Sequence, residues 1–299
     1  SSPYPATRLS PKTSSTGSVL GAAASSPGVT IMASSRNRMI TRLIILSKRE
    51  KITIYLIYPL PFQKRKHSIM TPTHAMIRLD RACLSMPSRA GMVTILNDVS
   101  LEIESGETVA VLGPSGAGKT TAMMVMAGLE AVSGGDVIIA GKNLSRMDED
   151  SLARMRRDHI GIIFQAFRLI PSMTALENVA IPLELDGDRE AFDKARSALA
   201  DVRLDHRLDH FPDQLSGGEQ QRVAIARAIV TGPRILLADE PTGNLDQATG
   251  AEIMALLLDT AEKHQAALAL ITHDESLAAR CGRIIRIADG RIDSDSKAS

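Results

Sequence analysis

Aromatic side chains are almost missing from this chain: they make up 3% of its 299 residues, and there is no Trp. Proteins that read single-stranded nucleic acid by stacking bases on rings depend on such residues, so the composition argues against that class. Cysteine is equally scarce. Cys83 and Cys281 cannot build a disulfide framework, nor a four-ligand zinc site without histidines. Both are expected to be small buried hydrophobes in a reducing compartment. No apolar run approaches the roughly 20 residues that cross a bilayer as a helix. Acids are nearly missing from one end. Residues 1–75 carry eleven Lys/Arg and one acid, Glu50, whereas residues 76–299 carry 24 basic and 33 acidic residues. The formal net charge of +1 therefore joins a segment of balance +10 to a body of balance −9. An acidic body gives no electrostatic footprint for nucleic acid, so no nucleic-acid partner is expected.

What is present suits a globular chain: 44% hydrophobic and 23% charged residues allow one large core or two modest ones. Residues 1–35, rich in Ser, Ala, Pro and Thr, show no hydrophobic period and cannot offset their own ordering entropy. Two short apolar runs follow, residues 43–46 and 52–57, separated by Lys48, Arg49 and Lys51. Residues 1–75 are thus expected to be disordered or non-native. Three readings stay open: a basic, Ser-rich leader, a basic membrane-surface segment, or a translated upstream region. The third is preferred, because the chain does not begin with Met and Met70 or Met76 would serve as a start.

From residue 76 the pattern becomes regular, and one folded domain is expected over 76–292. The β-branched apolar run Thr108–Leu112 predicts a buried strand. It is followed at once by Gly113, Pro114, Ser115, Gly116, Ala117, Gly118, Lys119, Thr120 and Thr121, a full G-x-x-x-x-G-K-[ST] loop. Glycines let backbone N–H groups approach phosphate oxygens, and the helix that follows turns its positive end toward the anion. Lys119 is expected to reach the β- and γ-phosphates and Thr120 to ligate Mg²⁺. That helix continues through Met123, Met124 and Met126 as core filler, and Gly128 ends it.

Such a loop indicates nucleotide binding and nothing finer. A second set of motifs narrows the reading. Ser216 and Glu219 stand three apart before an apolar helical stretch at 221–230, the spacing of a capping box. With Gly217 and Gly218 between them, the same helix start could also be a second anion site. Residues 235–240 read as a buried strand ending in two acids, Asp239 and Glu240, which are costly to bury without a partner. Metal-bound nucleotide would supply one: Asp239 would hold Mg²⁺ and Glu240 would polarise the attacking water. A further strand at 267–272 ends at His273, placed for the γ-phosphate. Thr174 and Glu177 form another capping-box candidate, and Pro182 would limit or kink the helix that begins there. Phe192, Ala195, Leu199 and Val202 recur at spacings of three, four and three, one apolar helix face.

The order of these elements resembles ABC-type ATPases: Walker A at 113–120, Gln165 after a strand at 160–164, LSGGEQ at 215–220, Asp239–Glu240 closing Walker B, GNLD at 243–246, and His273. The likeness covers about three quarters of the chain. FQAFRLIPSMTALENVAIPLEL (164–185) and ADEPTGNLD (238–246) resemble the lipoprotein-releasing and macrolide-efflux branch. The resemblance implies an α/β P-loop NTPase, with a RecA-like core, an antiparallel N-terminal sheet and an inserted helical subdomain at about 166–229. It implies an ATP hydrolase using ATP and Mg²⁺, with Lys119, Gln165, Glu240 and His273 catalytic and Thr120, Gln165 and Asp239 around the metal. It also implies a head-to-tail homodimer, in which Ser216, Gly217, Gly218 and Glu219 of one copy, with Asp246, close over nucleotide on the loop of the other. Integral membrane permease subunits would be the partners, and the chain would sit peripherally on the cytoplasmic face of the inner (cell) membrane. Export or lipid and lipoprotein release is the leading function; driving a permease-like partner in mechanotransmission without transport is the alternative. A soluble role in translation or DNA repair would call for two cassettes, an inserted coiled coil or zinc-binding cysteines, none of which the sequence contains. Phe167 and Leu169, in the loop after Gln165, are the expected permease contacts, with a core position the competing reading for Phe167.

One departure stands out. The family usually places an aromatic ring upstream of Walker A to stack on adenine, yet no Phe, Tyr or Trp occurs between Phe62 and Phe164. Leu84 or Met86 would occupy that area, and relaxed base selectivity is expected.

Overall fold

The computed structural model describes residues 75–88 and 91–297, and upstream of them the backbone of three strands. Those strands are β1 (Thr30–Ser35), β2 (Thr41–Leu46) and β3 (Lys51–Leu56), paired antiparallel in the order β1-β2-β3. The two apolar runs of the basic segment supply β2 and β3. Apart from β1, β2 and β3, the residues of the stretch expected to be disordered or non-native, up to 74, lie outside the described residues. The chain divides into two compact units, 1–59 and 60–299.

The second unit begins with β4 (Ile77–Ser88) and β5 (Gly91–Ile103), long antiparallel strands that join β7 (Gly134–Ile139) and β8 (Lys142–Asn143) in a sheet of order β5-β4-β7-β8. A second sheet contains β6 (Thr108–Leu112), β9 (Ile160–Ile163), β10 (Ile235–Asp239), β11 (Ala267–Ile271), β12 (Arg283–Ala288) and β13 (Arg291–Lys297). Its order is β13-β12-β6-β11-β10-β9, parallel throughout except for β13.

Alternation explains why this sheet is covered on both faces. Val109, Val111, Ile235 and Leu237 enter one core with the antiparallel sheet and α1 (Lys119–Met126). Their neighbours Ala110, Leu112, Leu236 and Ala238 enter a second core made with helices. Successive side chains on a strand point to opposite faces, so continuous apolar strands need two covers. Each large apolar side chain buried this way contributes about 1.5–3 kcal/mol.

The second cover is helical: α3 (Ala175–Leu185), α4 (Ala191–Asp201) and α5 (Gly217–Ile229) fill the stretch between β9 and β10, which holds no strand. The predicted capping box forms at Thr174, whose hydroxyl accepts from the Glu177 N–H while the Glu177 carboxylate accepts from the Thr174 N–H. Pro182 does not end α3, which runs on to Leu185. Phe192 departs from expectation too: it is exposed, whereas Ala191, Ala195, Ala198, Leu199 and Val202 are buried. Ala191 and Ala195 are four apart and share the inward face, which leaves Phe192 rotated about 100° away from it. The remaining helices are α2 (Glu149–His159), α6 (Gln247–Lys263) and α7 (Glu275–Ala278). Met123 and Met126 are buried and Met124 half-buried, and Gly128, with φ 62°, follows α1 as predicted. Cys281 is buried, and burial pushes its thiol up to about 11. Cys83 is only half-buried, because its Sγ lies at an irregularity of β4, where it accepts from the Asp98 N–H.

Candidate functional site

In the order β6-β11-β10-β9, four parallel neighbours deliver their carboxyl ends to one edge of the sheet. Loops after parallel strands are where α/β sheets place ligands. Here those loops carry Walker A (after β6), His273 (after β11), Glu240 (after β10) and Gln165 (after β9).

The loop after β6 exposes Pro114, Ser115, Gly116 and Thr120, leaves Gly113 and Thr121 half-buried, and buries Ala117, Gly118 and Lys119. Gly118 caps α1 with a left-handed φ of 95° and no side-chain cap, so the first N–H groups of the helix are not taken by a side chain. A Cβ there would also stand 2.8 Å from the Ile95 carbonyl oxygen of β5, so backbone sterics require glycine twice over. The Lys119 ammonium donates to the carbonyl oxygens of Gly113 at 2.7 Å and Pro114 at 2.9 Å, which places its charge inside the loop.

Asp239, at the end of β10, accepts from the Thr120 hydroxyl at 3.2 Å. Burial pushes the Asp239 carboxyl above the usual carboxylate range, opposed by the Thr120 hydrogen bond, with Glu240 adding to the rise and Lys119 and Arg168 opposing it. Two oxygen donors on adjoining loops suit a small hard cation that completes its shell with phosphate and water, as Mg²⁺ does. Among the described residues no cluster of three or more His, Cys, Asp and Glu could hold a metal without such help.

Glu240 has φ 45°, a left-handed backbone rare for a side-chain-bearing residue, and its N–H donates to the Ile271 carbonyl at 2.9 Å. The chain thus breaks off the strand immediately after Asp239, and the two consecutive acids do different things. Glu240 Oε1 lies 2.7 Å from His273 Nδ1, with the carboxylate largely enclosed and the ring 72% exposed.

Gln165 is exposed and borders the loop after Glu240: a Cβ at Gly243 would fall 2.7 Å from its Nε2, and Asn244 Nδ2 donates to its carbonyl at 2.9 Å. Among the described residues the Asp239 carboxylate is hydrogen-bonded by Thr120, and no hydrogen bond joins Gln165 to either. Ser216 and Glu219 form the predicted capping box on α5, and Arg207 reaches Glu219 Oε1 at 2.9 Å. Those hydrogen bonds hold the Glu219 carboxyl below its usual range, the Ser216 N–H contributing most. A Cβ at Gly218 would come within 2.6 Å of the Thr249 methyl, so this glycine also allows α5 to lie close to α6. Asp246 accepts from the Thr249 N–H at 3.0 Å and caps α6. Phe167 and Leu169, the expected permease contacts, are half-buried, which for Phe167 falls between the surface and core readings, and Phe167 Cζ lies 3.8 Å from the Cβ position of Gly217. Leu84 is buried, whereas Met86 is half-buried beside the first core, which leaves Met86 as the adenine-side candidate.

Sequence reasoning missed Arg168, whose guanidinium carbon stands 4.0 Å from the Phe164 ring centroid and whose charge acts on Asp239. It also missed Arg227, the lone basic residue in an apolar stretch of α5, and that isolation was the available signal.

The comparison with known proteins agrees with this geometry. The ABC transporter family profile matches residues 96–243. The protein YbbA of Escherichia coli (strain K12), described as an uncharacterized ABC transporter ATP-binding protein, is 46% identical over 206 residues, 68% of this chain and 90% of its own length. The chain belongs to the ABC transporter ATP-binding proteins. The lipoprotein-releasing system ATP-binding protein LolD of Francisella tularensis subsp. tularensis (strain SCHU S4 / Schu 4) is 46% identical over 204 residues, 67% of this chain and 88% of its own length. Among solved structures, the ATP-binding cassette MJ0796 in a dimeric post-hydrolysis state with ADP and Pi superposes with TM-score 0.70 at 38% identity, over 75% of this chain and 99% of that one. This ABC ATPase is therefore an ATP-hydrolysing subunit on a P-loop NTPase fold. No helix among the described residues is long and apolar enough to cross a membrane.

Proposed function

We propose that this ABC ATPase works as a head-to-tail homodimer, peripheral on the cytoplasmic face of the inner (cell) membrane. There it drives separate permease subunits in export or in lipoprotein and lipid release. The 46% identity to LolD across 88% of that protein supports the branch. The dimeric neighbour holding ADP and Pi supports the pairing.

The observation that carries the chemistry is the 2.7 Å contact between Glu240 and His273 beside the Thr120–Asp239 pair. In the proposed site, backbone N–H groups among residues 115–118 and the Lys119 ammonium receive the phosphates. Thr120 and Asp239 would hold Mg²⁺, with Gln165 reaching it from β9; the ion supplies charge neutralisation at the phosphates. Glu240 accepts a proton from water and orients it for in-line attack. With both ring nitrogens protonated, His273 would donate from Nδ1 to Glu240, keeping that carboxylate aimed, and from Nε2 to a γ-phosphoryl oxygen. Ser216, Gly217 and Gly218, at the capped start of α5, would close on nucleotide bound to the other copy, and the Asp246 loop would lie along the same seam. Positioning and charge stabilisation do most of the work, so an isolated monomer should turn over slowly.

Light scattering of Glu240→Gln tests the scheme. With MgATP it should bind nucleotide, stop turning over and run at twice the monomer mass; a variant that stays monomeric with or without its permease refutes the pairing. Recovery of an integral membrane protein with the Glu240→Gln chain from detergent extracts, dependent on MgATP, tests the permease assignment.

A further inference from the structure

Arg227 sits on α5 between buried Ala226 and Ala228, and its charge is drawn into the protein rather than left to water. Desolvation lowers its pKa to about 10. A charge so enclosed persists only where hydrogen bonds compensate it. Here the compensation comes from one short turn: Nη1 donates to the Arg168 carbonyl at 2.7 Å and Nη2 to the Phe167 carbonyl at 2.9 Å.

That turn immediately follows Gln165. Phe167 and Arg168 both have left-handed backbones, φ 56° and 50°, which side-chain-bearing residues seldom adopt in succession. A planar guanidinium holds two neighbouring carbonyls in one fixed fork of N–H groups, a geometry that a freely rotating lysine ammonium does not impose. On its other side the turn is fixed to the nucleotide loops through Asn244, which donates to the Gln165 carbonyl at 2.9 Å. Phe167 also approaches Gly217, at the far end of α5 from Arg227.

We propose that Arg227 is a positioning residue that makes α5 and the Gln165 turn move as one piece. A displacement of Gln165 at the γ-phosphate is then delivered along α5 to Ser216–Gly218, the residues that close on the partner copy's nucleotide. The inference rests on the proposed roles of Gln165 and Ser216–Gly218.

The test is a double-mutant cycle on the full chain, with Arg227→Lys, Gln165→Ala and the pair, measuring MgATP turnover, affinity for a fluorescent ATP analogue and melting. Arg227→Lys should bind nucleotide within about two-fold of wild type, with KM unchanged and kcat lower by about ten-fold. The double variant should be no slower than Gln165→Ala alone, because both changes cut one link. A kcat within about two-fold of wild type, or losses that multiply in the double variant, overturns the proposal. Arg227→Met keeps the apolar stem without donors and should be at least as slow as Arg227→Lys while its circular dichroism matches wild type. If both replacements unfold the chain, Arg227 is a folding residue and the proposal falls. Failure of wild type to hydrolyse ATP, or of Glu240→Gln to pair, would instead strike at the proposed function, so the two failures are distinguishable.

Discussion

Thr120 and Asp239 meet through a 3.2 Å hydrogen bond although they stand 119 positions apart in sequence. The contact exists because β6 and β10 flank β11 in parallel and end at the same edge of the sheet. Much of the behaviour of the site follows from it.

Asp239 is harder to ionise in the folded chain than in the unfolded one, so folding without nucleotide gains stability as pH falls through its raised pKa and carries a cost above it. Asp239→Asn should abolish MgATP turnover yet raise the melting temperature of the nucleotide-free protein by about 2–4 °C. Scanning calorimetry at neutral pH checks it; a lower melting temperature would show that the Thr120 contact outweighs burial.

His273→Ala removes the group that aims Glu240. Nucleotide affinity should change little and kcat should drop by about 10²-fold or more. Steady-state phosphate release gives the answer, and a variant as fast as wild type would remove His273 from the chemistry.

Asn178 is fully buried and staples the loop before α3: its Nδ2 donates to the carbonyls of Ile170, Met173 and Thr174, and its Oδ1 accepts from the Ile170 N–H at 2.7 Å. The carbonyls of Ile170 and Thr174 also accept from the backbone N–H groups of Met173 and Asn178, so Asn178→Ala strips its partner from the Ile170 N–H and the Met173 carbonyl and should cost about 2–4 kcal/mol in urea unfolding.

Glu219 binds its proton less readily when folded, so its contribution is complete above the ordinary glutamate value of about 4.3 and is lost as pH falls through the lower folded value. Glu219→Gln should therefore flatten the acid limb of the stability profile. An unchanged limb between pH of about 2 and 5 would show that other carboxylates govern acid unfolding.

Met86 in place of a ring predicts turnover of ATP and GTP within about ten-fold of each other, since apolar contact discriminates less than oriented stacking. Met86→Tyr should widen the gap in favour of ATP. A strong ATP preference in the wild type would sink the idea.

The elements of this protein were legible as text. Walker A, the two acids, the capping boxes at Thr174 and Ser216 and the apolar strands are local patterns, and local sterics and hydrogen bonding enforce them wherever the chain goes. Phe192 shows where periodicity stops helping: Ala191, too small to register as a stripe, takes the inward position. Packing in three dimensions decided what no spacing could. It turned Glu240 out of line with Asp239 and onto His273, drew Phe167 toward Gly217, and enclosed the Arg227 charge against two carbonyls. Such contacts join residues far apart in the chain, and their energies depend on burial and on the meeting of loops, which exist only once the sheet has brought its strand ends together.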